Sequence, residues 1–483
     1  MAKTKIIAPW IVAYQQGEHR ILRDGCVVID NDRIVYVGKR YDAPVDNTLQ
    51  ADDSVITPGF INVHVHCASS PLDKSLVEDV GSRQFSLSAL PDMLPARGAA
   101  TDQAGRHAAI DFSMAEFIRT GTTTVMEIGS DGAYTADAAE RAGLRAYIAD
   151  GYRSGKWYTT NGRTVEYAWD EDAGMGAFKD AITLIEKLEG RAQDRIRGYL
   201  SPMQVDTCSE ALLRRSKDAA EDMHVPLALH VSQSVFEFDE MVKRHGLTPI
   251  EWLDSIGFLG ERNILGHAIM PAGHSWVQFA GDDLQLLADA GASVAHCSWV
   301  FNRRGLAMES YPEYQARGIN LCLGTDTAPQ SMLEALKWSA VVGKMMKRQT
   351  EVATAADVFN AATLNAARML QRDDLGRIAA GAKADLLFWD AKGMSMVPLR
   401  DPIRNIVYNA QAYDLREVMV DGQWLMRARR LTTLDESAIC EALQHAAEQM
   451  WPRLKEGHWS GKDVDSLSPP SFKAFTDDAA DKA

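Results

Sequence analysis

The chain has 483 residues, enough to bury one large core beside an accessory domain, or to form two to three domains. Its 46% hydrophobic and 24% charged residues are ordinary for a globular protein. Its net charge, 51 − 66 = −15, argues against nucleic acid or an anionic membrane as a partner. No run approaches the length of about eighteen apolar residues that would span a bilayer. The opening Met1–Trp10 lacks the apolar region and small-residue cleavage site of a secretory signal. Six scattered cysteines (Cys26, Cys67, Cys208, Cys297, Cys322 and Cys440), with no C-x-x-C, fit reduced thiols and a cytoplasmic location.

Residues 1 to about 57 read as short strands and turns, with Cys26–Gly38 as two β-rich runs around a polar turn, a hairpin signal. From about 58 to 370 short β-type runs alternate with helical patterns. Candidate strands are Phe60–His66, Thr122–Ile128, Arg145–Ala149, Ile196–Leu200, Leu227–Val231, Asn263–His267, Ser293–His296 and Asn320–Gly324. Amphipathic stretches such as Ala211–Met223 and Asp283–Ala290 lie between them. Eight strands with crossover helices predict an α/β fold, a (β/α)8 TIM barrel. A doubly wound open sheet is the alternative, but no G-x-G-x-x-G follows the early strands.

The stretch Arg83–His107 is poorly patterned and reads as a long loop over the end of the first strand. Lys383–Asp390 and Val418–Trp424 return to the β texture of the N-terminus, so a small β-sandwich domain built from both chain ends is expected. Leu431–Lys455 reads as largely helical and Ser466–Ala483 as a loose tail. The expected division is 1–57 and 373–430 for the two parts of the β-sandwich, 58–372 for the barrel, and 431–483 for a C-terminal helix and tail.

Reactive residues of such a barrel sit at the C-terminal ends of its strands. Here those ends carry His64 and His66, then His230, His267, His296 and Asp326. Residues i and i+2 of a strand share a face, so His64 and His66 can grip one ion together. With 12 histidines in the chain, an H-x-H pair decides nothing alone. Recurrence at the same end of successive strands does. Three neutral imidazoles and a carboxylate suit Zn²⁺, Fe²⁺, Co²⁺ or Mn²⁺, and such an ion brings the pKa of bound water towards neutrality.

Over almost its full length the chain resembles the amidohydrolase superfamily. The matching pieces are Pro58-Gly-Phe-Ile-Asn-Val-His-Val-His66, Gly121-Thr-Thr-Thr-Val125, His230 after an apolar strand, Ile264-Leu-Gly-His267, Leu323-Gly-Thr-Asp326 and Leu375–Leu386. It looks closest to the branch of guanine and cytosine deaminases, triazine hydrolases, and phenylurea and thiocarbamate hydrolases. The resemblance implies metal ligation by His64, His66, His230 and Asp326, with His267 beside the metal-bound water and Asp326 moving its proton. Binuclear relatives carry a carboxylated Lys at the end of strand 4. Tyr199–Asp206 has no Lys, so one ion, most simply Zn, is expected. The resemblance also implies a small-molecule substrate and a homo-oligomer.

One departure bears on the reaction. Aminohydrolases of this branch show His-x-x-Glu after strand 5, where the Glu protonates the heterocycle; this chain reads His230-Val-Ser-Gln233. An amide donates a hydrogen bond but delivers no proton. Attack on a carbonyl needs ring protonation less than attack on an aromatic carbon. The residues therefore favour hydrolysis of a small, neutral urea, carbamate or amide, with Gln233, His296 and Trp299 as candidate substrate contacts. The alternatives are a deaminase or dehalogenase of a nitrogen heterocycle, such as a purine, pyrimidine or triazine, and a catalytically inactive binding or assembly protein. The latter would be expected to lose ligand residues, and all four positions stand.

Overall fold

Runs that are apolar on both faces need cover on both faces, and here they become parallel strands. The structure, a computed structural model, describes residues 3–76, 85, 88 and 90–475. Eight strands follow the predicted runs: β1 (Phe60–Val65), β2 (Thr122–Gly129), β3 (Arg145–Asp150), β4 (Ile196–Gly198), β5 (Leu227–Val231), β6 (Asn263–His267), β7 (Ser293–His296) and β8 (Asn320–Leu323). Every residue of β5, β6 and β7 is buried. The strands form two four-stranded parallel sheets, β1–β4 and β5–β8. Isolated bridges, Leu200 with Leu227 and Val65 with Asp326, link the outer strands of one sheet to those of the other.

One apolar cluster takes Ile61, Met126, Tyr147, Tyr199, Ala228, Ile264, Ala295 and Cys322, a side chain from each strand or its immediate end. Helices cover the outer faces, and several start on side-chain caps. Ser209 accepts from Leu212 N to open Glu210–Asp222, while Asp283–Ala290 stops at Gly291, whose φ of 69° is the left-handed turn that glycine tolerates best.

Both chain ends meet in one nine-stranded sheet. Ser54–Pro58 pairs antiparallel with Leu386–Asp390, and Ile11, Val27, Ile29, Ile56, Leu386 and Phe388 share its core. Ser54–Pro58 runs through Gly59 directly into β1. Gly59 N donates to the Asp385 carbonyl (3.0 Å), and Arg145, which opens β3, lies between Asp385 and Asp421. The terminal sheet is thereby fastened to the start of the parallel strands, opposite the ends that carry the histidines.

The expected loop Arg83–His107 is instead largely helical where it is described: Leu90–Ala100 is a helix, and a second helix begins at Gln103. Residues 83, 84, 86, 87 and 89 lie outside the described residues. Pro91, in the first turn, and the internal Pro95 hide the helical pattern in the sequence. The helix stands because Met93, Ala96 and Ala100 pack on Leu443, Ala447, Met450 and Leu454 of the C-terminal helices, a contact no local pattern announces. Leu431–Lys455 contains the expected helix (Glu436–Met450), and 476–483 lie outside the described residues. No helix among the described residues is long and apolar enough to cross a membrane.

Candidate metal centre and active site

Four of the strand ends bring their polar residues to one point. The His64 ring lies 4.6 Å from that of His230 and 4.7 Å from that of His267, centroid to centroid, and His66 packs parallel to His230. Asp326 divides its two oxygens. Oδ1 lies 3.3 Å from His66 Nε2 and 3.9 Å from His64 Nε2, whereas Oδ2 faces His267 Nε2 at 3.9 Å. The ligand atoms form two overlapping groups, His64–His230–His267 and His64–His66–Asp326, each within 4.8 Å.

The tautomers follow from neighbouring carbonyls. His66 Nδ1 donates to the Ile128 carbonyl at 2.8 Å, and His230 Nδ1 donates to that of Met203. A carbonyl only accepts, so each Nδ1 carries the proton and each Nε2 presents a bare lone pair. Those two Nε2 atoms face one another at 3.1 Å. Two acceptors cannot hydrogen-bond each other. Among the described residues, both nitrogens of buried His64 and Nδ1 of His267 also lack a hydrogen-bond partner. Burial holds the pKa of His64 and His267 well below 6.5 and that of His230 at about 3, so all three are neutral at physiological pH. Converging neutral nitrogens beside a carboxylate, with no donor between them, fit a divalent metal ion.

Space for His64 comes from two missing side chains. A Cβ on Gly266 would lie 2.6 Å from His64 Cε1, and one on Gly324 would lie 2.8 Å from His64 Cβ. The glycines of Leu-Gly-His267 and Leu-Gly-Thr-Asp326 therefore serve a residue some two hundred positions or more away. Asn62 was not among the sequence candidates. Its amide donates to Thr325 Oγ1 (2.8 Å) and its carbonyl accepts from Thr325 N (3.0 Å); Thr325 Oγ1 in turn donates to Gln330. This clasp fixes β1 against the turn that carries Asp326. In the sequence the Asn is a polar residue inside an apolar run, the one signal that could have marked it.

The profile of the amidohydrolase family matches residues 55–425, from the strand before β1 to the sheet strand Gln423–Arg427. The chain belongs to that family. As an amidohydrolase it is a metal-dependent hydrolase of carbon–nitrogen bonds other than peptide bonds. It is 29% identical to a 5'-deoxyadenosine deaminase of Methanosarcina mazei over 90% of this chain and 95% of that one. It is 28% identical, over 90% and 95% of the two chains, to a 5-methylthioadenosine/S-adenosylhomocysteine deaminase of Halobacterium salinarum. Its fold matches a zinc-bound adenosine deaminase from Xanthomonas campestris with a TM-score of 0.79, at 22% identity over 92% and 98% of the chains. It also matches an atrazine chlorohydrolase from Arthrobacter aurescens, in complex with zinc, at 0.78 and 21% identity over 92% and 100%.

In this amidohydrolase a cavity of about 400 Å³ opens onto His66, His230, His267 and Asp326. Gln233 lines it, with its amide donating to Gln204 Oε1. His296 and Trp299 are not among its lining residues. The helix Ser298–Asn302 explains Trp299, because residues two apart on a helix point about 200° apart. Phe301 meets the cavity and the His267 ring (4.7 Å), while Trp299 packs on Trp338 (5.4 Å). His296 is buried against Tyr311.

Proposed function

We propose that this amidohydrolase is an aminohydrolase that replaces the exocyclic amino group of a purine-type heterocycle with oxygen and releases ammonia. The support that carries the reading is the run of deaminases similar to it over nine-tenths of both chains. The urea, carbamate or amide reading drawn from Gln233 ranks second. It keeps one observation, an amide lining the cavity where a carboxyl would supply a proton.

His64, His66, His230 and Asp326 would hold one ion, which we take to be zinc, as in the similar solved structures. A divalent cation there supplies acidified water at neutral pH. Asp326 Oδ2, turned towards His267 and away from His66, would take up the proton released from water and pass it to the departing amino nitrogen. His267 Nε2, facing Oδ2, orients the attacking oxygen. Gln233, braced by Gln204, donates a hydrogen bond to a ring nitrogen. Phe301 closes one apolar wall and excludes water. The same reading takes 58–372 as a closed (β/α)8 barrel and 1–57 with 373–430 as a sandwich-like domain. Support comes from the two inter-sheet bridges and the shared terminal sheet.

The test is product analysis on 5'-deoxyadenosine, adenosine, triazines and arylureas, with metal content by elemental analysis. Ammonia released in step with an oxo-purine, abolished by chelation and restored by zinc, is the expected result. An arylamine with carbon dioxide from the ureas, and no ammonia from any heterocycle, would transfer the proposal to the second reading.

A further inference from the structure

The chain carries a net charge of −15, yet its catalytic cavity is lined by Arg97, Arg106, Arg153, Arg303 and Arg304 against two carboxylates among the described residues, Asp73 and Asp326. Asp73 is spent on Arg97, with which it pairs, and Asp326 belongs to the metal cluster. Arg303 is aimed by the turn that holds that cluster: Nη1 donates to the Ala328 carbonyl (3.0 Å) and Nη2 to Thr327 Oγ1 (3.3 Å). Its Nε, like that of Arg97, is buried with no hydrogen-bond partner among the described residues. Arg304 makes no side-chain hydrogen bond or ion pair among the described residues, and burial lowers its pKa. Burial and the neighbouring guanidiniums press Arg97 and Arg303 down to about 10. Like charges held together out of water cost free energy unless an anion joins them.

We propose that the substrate carries an oxyanion, a carboxylate or a phosphoryl group, placed by Arg303 and Arg304 with Arg97 behind them, while the reacting carbon lies at the histidine cluster. This rests on the aminohydrolase reading and narrows its substrate from any purine-type heterocycle to an anionic one. Guanidinium groups recognise either oxyanion by paired hydrogen bonds.

The holoenzyme is titrated calorimetrically with two pairs of probes: adenine-9-acetate against adenine-9-acetamide, and adenosine 5'-monophosphate against adenosine. In at least one pair the anion should bind about tenfold or more tightly than its neutral partner, and added salt should erode the gap. Which pair discriminates tells a carboxylate from a phosphoryl group. Arg304→Met should bring that pair to within about twofold, Arg304→Lys should retain part of the preference, and Arg20→Met on the surface should leave it intact. Equal binding within both pairs overturns the proposal. So does a preference that survives Arg303→Met combined with Arg304→Met, because the anion then sits on the metal. Should the Met variants fail to fold, the anion-to-neutral ratio of the wild-type protein and its salt dependence decide. Ammonia release is assayed alongside, and any probe that turns over is ranked by kcat/KM in place of Kd, so the two readings fail separately. Anion preference without ammonia release sinks the aminohydrolase alone, and deamination of the neutral probes as efficient as that of their anionic partners sinks this inference alone.

Discussion

Two buried polar clusters lie at opposite ends of the parallel strands, and they are built on opposite rules. At the start of β3, Arg145 is sealed in and reaches Asp421 Oδ1 at 2.5 Å and Asp385 at 3.4 Å. Asp385 also accepts from Asp421 N (2.8 Å), and Lys383 comes within 3.4 Å of Asp421. Burial alone would lower the pKa of Arg145, yet the two carboxylates raise it. Each charge there is answered by protein. At the other end His64 has no hydrogen-bond partner on either nitrogen among the described residues, and the Nε2 atoms of His66 and His230 confront each other. The first cluster is complete and the second is not. The first ties the terminal sheet to the parallel strands; the second offers bare lone pairs beside a carboxylate.

That contrast breaks first at Asp326. Asp326→Ala should cost the protein its metal by elemental analysis and lower kcat/KM on the order of 10³-fold or more, while the thermal transition persists. An Asp326→Ala protein that kept both metal and turnover would remove the ion from this site. Arg145→Met should do the reverse. The unfolding free energy from denaturant titration should fall by about 3–5 kcal/mol because two buried carboxylates lose their cation. Metal content and kcat per folded molecule should hold, and a loss of kcat at full folding would mean the junction reaches the site.

Acid provides the smallest and sharpest test. His296 falls from 6.5 to about 4 by burial, so the unfolded chain takes up a proton in that window and the folded one does not. Its share of stability is whole above pH 6.5 and is lost as pH falls towards about 4, at no more than about 1.4 kcal/mol per pH unit. His296→Asn should flatten the pH dependence of unfolding over that interval. An unchanged slope would mean that the ring titrates normally.

The sequence made the parallel strands legible because strands buried on both faces are written as continuous apolar runs; Leu227–Val231 and Asn263–His267 carry the predicted bounds unchanged. The converging residues were legible for a related reason. A strand end has a fixed place in this architecture, so His230 and Asp326 could be brought together from nearly a hundred residues apart. What escaped depends on tertiary neighbours. Leu90–Ala100 is helical through contacts with a helix near the C-terminus. Whether Trp299 or Phe301 faces the cavity turns on the phase of a five-residue helix. Arg97, Arg303 and Arg304 look like ordinary surface charge until the fold turns them inward. Gln233 lines the cavity, but its chemistry alone points to ureas, whereas the similar proteins are deaminases.

The two glycines flanking His64 have an implication for anyone who would re-engineer this enzyme. With Gly266 pressed against the imidazole and Gly324 against the Cβ and backbone carbonyl of the same residue, even alanine at those places would displace His64. The floor of the pocket is sterically frozen, and useful variation is confined to the rim. Randomised libraries should therefore leave 266 and 324 alone and spend their diversity on 97, 233 and 304, which line the cavity.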